Sequence, residues 1–165
     1  MRVKKRVKKR ACRIWKTIMV GGASVDQLLT KLVDAGRNVD FWARRLMDRS
    51  EFITSETPHE VSFCRETVED LGFSDDATLS QIIGAIKKLG GDPCQLEDAA
   101  WLALENQSYN DIFWVVTERV IDPYGYLEVF FVRFDFDSGR RLCAYHSNPA
   151  DLWVSSASFV FRSNK

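Results

Sequence analysis

From Ile112 onward, the sequence is a succession of β-branched and aromatic runs separated by turn residues. Runs of this composition are typical of β-strands, and the pattern predicts strands at residues 113–121, 126–136, 140–146 and 158–162. The connections at 122–125 and 137–139 contain Asp and Gly, with Pro in the first, which hairpin turns favour. We therefore expect an antiparallel meander of about four strands in this part of the chain.

Helical periodicity appears earlier in the chain. Ser24 and Gln27 have the spacing of a capping box, and the apolar residues that follow recur every three or four positions, which predicts a helix over 25–35. Thr78 and Gln81 repeat this spacing and predict a second capped helix, which begins at 79 and ends before two glycines at 90 and 91.

Two further helices and two further strands are predicted. One helix would be capped by Asn38 and run to residue 49, and the other would start near Pro93 and run to residue 105. The apolar side chains of the first would face the core, namely Phe41, Trp42, Leu46 and Met47. Alternation over 11–20 and 61–69 indicates strands.

These elements predict an α+β architecture. The sheet would be antiparallel and would combine the C-terminal meander with the N-terminal strand or strands, and about four helices would pack on one face. The length of 165 residues suits a single domain, which we place at 11–165, preceded by a basic arm at 1–10.

The basic arm is the most asymmetric feature of the charge distribution. It contains seven Lys or Arg residues and no acidic residue, so the rest of the chain holds 16 basic and 23 acidic residues, a net charge of −7. Such an arm can contact nucleic-acid phosphates without reading bases. The residues assigned to this role are Lys4, Lys5, Arg6, Lys8, Lys9 and Arg10. A solvated tail that aids solubility, or one that binds the acidic body of another copy, explains the same charges.

No catalytic, metal or cofactor motif is found. The four cysteines are scattered without a Cys-x-x-Cys pair and only two histidines are present, so no metal site is predicted. Cys143 and His146 would project to opposite faces of a strand, which is the wrong geometry for a thiol and its base. The cysteines are interpreted as reduced and buried, in a protein of the cytoplasm. No membrane span is predicted, since the uncharged, apolar-leaning stretch at 17–25 is about half the length that a bilayer requires.

Five stretches, taken in their order and spacing, resemble a family of small bacterial proteins of uncharacterised function, some of which belong to mobile genes such as integron cassettes. They lie at 36–45, 68–78, 89–94, 122–127 and 153–161. The sequence departs from the family pattern after Cys94 and after Trp153, so a ligand site shaped by those segments would be altered here. The resemblance implies no reaction, because no activity is known for the family.

The aromatic content exceeds what a minimal core requires, with five Trp, four Tyr and eleven Phe. The leading hypothesis is therefore a non-enzymatic binding protein, an accessory or regulatory factor that presents aromatic residues to a protein partner or to a second copy. Nucleic-acid binding through the arm is an alternative, and a small-ligand pocket is a third hypothesis. The residues assigned to the ligand or partner site are Trp101, Trp114, Tyr126, His146 and Trp153.

Overall fold

The structure is a computed structural model that describes residues 11–106, 108, 110–137 and 139–164. Four helices are present in this part of the chain: α1 (Val25–Asp34), α2 (Phe41–Met47), α3 (Leu79–Lys88) and α4 (Leu96–Glu105). The strands are β1 (Ile14–Val20), β2 (Arg37–Val39), β3 (His59–Thr67), β4 (Ala77–Thr78), β5 (Gly91–Asp92), β6 (Asp111–Val115), β7 (Val120–Ile121), β8 (Leu127–Asp135), β9 (Gly139–Ser147), β10 (Leu152–Trp153) and β11 (Ser158–Ser163).

A large sheet of nine strands organises the fold. Its main order is β1-β3-β11-β6-β8-β9-β2, with β5 paired to β11 and β7 paired to β8, while β4 and β10 form a separate pair. The predicted α+β class is therefore confirmed. The expectation of a purely antiparallel sheet is wrong, because β11 runs parallel to β6 and β2 runs parallel to β9.

The C-terminal strands differ in part from the predicted order. Strands β6, β8 and β9 are antiparallel neighbours, and the strand expected at 113–121 consists of two strands, β6 and β7, that both pair with β8. Strand β11 does not lie beside β9. Residues 148–157 carry the chain past β8 and β6, so that β11 inserts between β6 and the N-terminal strand β3.

Helices cover both faces of the sheet, which corrects the prediction that all would pack on one face. Side chains alternate along a strand, so the neighbours Phe63 and Cys64 on β3 belong to two different apolar clusters. Helices α1, α2 and α4 pack against the sheet in the first cluster. Helix α3 packs against the sheet in the second cluster through Ile82 and Ile86, both fully buried. We call the two sides the first and second face.

Helix α2, which carries part of the candidate site, begins later than the sequence suggested. Asn38 belongs to β2 and pairs with β9, and Asp40 caps the helix by accepting a hydrogen bond from the backbone N–H of Ala43 at 2.7 Å. Ala43, Leu46 and Met47 form the buried face of the helix, whereas Trp42 lies at the edge of that face, 42% exposed, and Phe41 is exposed as well. The prediction that these two rings face the core is therefore wrong, whereas Leu46 and Met47 are buried as predicted.

Candidate functional site

A cleft of about 500 Å³ opens on the first face, where α2 meets the start of β8 and the end of β9. Its volume lies in the range of about 300–1,000 Å³ that small-ligand sites occupy. We call it the Trp42–His146 cleft after two side chains that line it and contact each other. Nine residues line it: Trp42, Arg45, Arg49, Asp122, Pro123, Tyr124, Tyr126, Glu128 and His146.

One wall is the turn between β7 and β8. The Asp122 carboxylate accepts hydrogen bonds from the backbone N–H groups of Tyr124 and Tyr126, each at 2.9 Å. Gly125 supplies the positive φ of 87° that the turn requires. The turn thereby holds two tyrosines at the rim of the cleft, both largely exposed.

The floor is a buried carboxylate held between two basic groups. Glu128 on β8 has a side chain only 8% exposed, and its Oε2 accepts a hydrogen bond from Arg49 Nη1 at 3.0 Å. Its Oε1 lies 3.0 Å from His146 Nε2, in hydrogen-bonding contact. Residues 128 and 146 are direct cross-strand partners on β8 and β9, so the sheet register itself brings the carboxylate and the imidazole together.

All three nitrogen atoms of the Arg49 guanidinium donate hydrogen bonds within the protein. Besides Glu128, it contacts both carboxylate oxygens of Glu51, at 2.9 and 3.2 Å, and donates to the carbonyl of Ile121 at 3.1 Å. The hydrogen bonds with Glu51 raise the pKa of the Arg49 guanidinium, and Coulombic attraction to Glu128 adds to this. The same pairing lowers the pKa of Glu51 to about 2. Arg49 therefore serves to fix Glu128 in place.

Helix α2 supplies the second wall. The indole of Trp42 meets the imidazole of His146 edge to face, with ring centroids 4.3 Å apart and an interplanar angle of 89°. Arg45 lies one helical turn further along, with its guanidinium 5.5 Å from the Trp42 ring and 5.8 Å from the Phe41 ring. The cleft therefore combines flat aromatic surfaces with a cation at its edge.

No family model, curated protein or solved structure matches this chain. The resemblance to a family of small bacterial proteins accordingly stays a prediction, and the geometry of the site carries the functional argument.

The five residues predicted for a ligand or partner site fall into three places. Tyr126 and His146 line the Trp42–His146 cleft. Trp114 and Trp153 lie on the second face of the sheet, with ring centroids 4.5 Å apart. Trp101 is half-buried against the first core and its Nε1 lies 3.4 Å from Glu97 Oε2.

The second face carries an aromatic groove of about 460 Å³. Its rings are those of Trp114, Trp153 and Tyr145, with Tyr145 5.8 and 6.1 Å from the two tryptophans. Leu152 and Val154 flank it and are 61% and 55% exposed. We call this surface the Trp114–Trp153 groove.

Sequence reasoning missed most of the charged residues of the cleft, including Arg45, Arg49 and Glu128. One signal was present in the sequence. Glu128 interrupts an otherwise apolar run over 127–132, and a carboxylate inside such a strand needs a partner. The two arginines gave no comparable signal, because exposed basic residues are common on helices.

Two further observations concern metal binding and membrane insertion within the described residues. No group of three or more His, Cys, Asp or Glu side chains there is arranged to hold a metal ion. None of the helices in this part of the chain is long and apolar enough to span a membrane. The basic arm proposed to contact nucleic acid lies outside the described residues.

Proposed function

We propose that this chain is a binding protein that takes a small molecule containing a flat ring in the Trp42–His146 cleft. The observation that carries the proposal is the buried carboxylate of Glu128, held between Arg49 and His146 beneath an open aromatic cleft. Tyr126 and His146, singled out from the sequence, lie in this site.

Burying the Glu128 carboxylate at the floor of the cleft has a cost in desolvation free energy. A buried carboxylate loses its hydration, and replacing a buried ion pair as a whole by apolar side chains of similar volume often gives a fold of equal or greater stability. Glu128 at this position is therefore poorly explained by stability alone. One of its two hydrogen bonds, at Oε1, orients His146, which in turn contacts the exposed Trp42. An ordered polar floor beneath aromatic walls is the usual composition of a ligand site.

Ligand-observed NMR with a library of aromatic fragments tests the proposal. We expect several fragments to bind the wild type and to lose binding in Trp42→Ala, which removes one wall. Phe136→Ala is the matched control, since Phe136 is also exposed but lies beyond the opposite end of β8. Fragments that bind Trp42→Ala as well as they bind the wild type would contradict the proposal, as would a library without a binder.

A second candidate function is self-association through the Trp114–Trp153 groove. Exposed Leu152 and Val154 beside three packed rings form an apolar patch of the kind that marks interfaces, and a second copy would cover it with the same residues across a two-fold axis. Sedimentation equilibrium should then show a dimer that Leu152→Asp dissociates. A monomer at all concentrations would remove this candidate.

Two predictions from the sequence remain as proposals. Nucleic-acid binding through the basic arm predicts a salt-sensitive mobility shift that is lost when residues 1–10 are deleted, and binding that survives the deletion would refute it. A cytoplasmic location agrees with the four cysteines, which are all free and buried.

A further inference from the structure

The charges of the Trp42–His146 cleft are compensated unequally. Glu128 uses both oxygens, one for Arg49 and one for His146. One Asp122 oxygen accepts two backbone N–H groups, and the other lies 3.8 Å from His146 Nε2. Both carboxylates of the cleft are therefore already provided with donors by the protein.

Arg45 differs from every other charged group of the cleft. Among the described residues, no carboxylate lies within ion-pair distance of its guanidinium. The guanidinium lies instead over the Trp42 and Phe41 rings. An arginine presents several N–H donors in one plane, a geometry that matches the oxygens of a carboxylate or a phosphate. A ring seated against Trp42 would bring a substituent of this kind within reach of Arg45.

We infer that the ligand of the cleft is an aromatic anion, a flat ring carrying a carboxylate or phosphate group that pairs with Arg45. This inference rests on the proposed function and specifies its ligand class. The ring stacks on or packs edge-on against Trp42 and the rim tyrosines, while Arg45 is the positioning charge for the anionic group.

Matched pairs of ligands test the role of the charge by isothermal titration calorimetry at low ionic strength. The probes are indole-3-acetate with indole-3-acetamide, and guanosine monophosphate with guanosine. We expect the charged member of at least one pair to bind about tenfold more tightly than its neutral counterpart. Whether the carboxylate or the phosphate pair shows the larger ratio identifies the preferred group.

Substitutions then assign the ratio to Arg45. Arg45→Gln should abolish the ratio, so that the charged and neutral members of each pair bind with equal affinity. Because Arg45 is exposed, we expect the variant to fold, which circular dichroism checks. Arg44→Gln is the matched control, because Arg44 is the adjacent exposed arginine, pairs with Asp48 and lies outside the cleft. It should preserve the ratio.

Each outcome bears on a different claim. Equal binding of charged and neutral members to the wild type, or a ratio that survives Arg45→Gln, overturns the anion inference and leaves the ligand cleft itself standing. Binding that is absent for all four probes overturns the inference, and the fragment screen then decides separately whether the cleft binds any flat ring.

Discussion

Removing the Glu128 carboxylate should destabilise the protein by about 2–4 kcal/mol. Glu128→Ala deletes two hydrogen bonds of 3.0 Å, one from Arg49 and one with His146. A hydrogen bond to a charged group contributes about 1.5–3 kcal/mol. Two such bonds total about 3–6 kcal/mol. The expected loss lies around the low end of that range, because the Arg49 and His146 side chains are 24% and 23% exposed and water replaces part of what is lost. Arg49 also retains Glu51.

Urea unfolding, followed by far-ultraviolet circular dichroism, measures this loss. The matched control is Glu118→Ala, which breaks an exposed pair with Lys87 at 3.8 Å. That substitution should cost about 0–1 kcal/mol. A double-mutant cycle of Glu128→Ala with Arg49→Ala should give a coupling of about 1 kcal/mol or more. The ion pair between Glu128 and Arg49 would be refuted as a stabilising contact if the losses of unfolding free energy in the two single variants were additive. A loss for Glu128→Ala no larger than that of Glu118→Ala would refute it as well.

Three further outcomes follow from single contacts. The Glu51 carboxyl should stay ionised in NMR titrations until the pH falls near 2, so its stabilising contribution, present above about pH 4.5, is lost as the pH falls toward 2; Arg49→Ala should raise this pKa toward the ordinary value, because it removes the largest cause of the shift. Gly91→Ala should lower the unfolding free energy by about 1–3 kcal/mol, because the new Cβ would lie 2.5 Å from the Phe161 ring; a neutral effect would contradict this packing. Burial raises the pKa of the Cys143 thiol to about 12, so it should resist alkylation at pH 8 until the protein is unfolded.

Local signals in the sequence predicted local structure well. The capping boxes that begin at Ser24 and Thr78 are both formed, and α1 and α3 begin where these residues indicate. The backbone groups at a helix start need partners nearby in sequence, so the required residues stand within four positions of each other.

Long-range pairing could not be read in the same way. Strand β2 has three residues and exists because it pairs with β9, about a hundred positions away. The parallel pairing of β11 with β6 likewise depends on a crossover, and no residue pattern within either strand specifies its neighbour. The prediction that α3 shares one face with the other helices is wrong for a similar reason, since amphipathic spacing shows that a helix has an apolar side but not which sheet face it covers.

The sequence predicted only some residues of the candidate site, because it does not show which side chains lie on the same face of the sheet. Tyr126 and His146 are two of the five residues named for a ligand or partner site on the strength of the aromatic content, and both line the cleft. Trp114 and Trp153 were grouped with them because the sequence does not show that they lie on the opposite face. Trp42 was expected in the core because it is apolar and stands four positions before Leu46, but it lies at the edge of the buried face of α2.

The position of a bound aromatic ligand shows directly whether the Trp42–His146 cleft is the binding site. Intermolecular nuclear Overhauser effects should be measured between the protein and the tightest-binding fragment from the NMR screen. We predict contacts from the ligand ring to the side chains of Trp42, Tyr126 and His146. Contacts confined to Trp114 and Trp153 would contradict the account, because they would place the binding site in the groove on the second face.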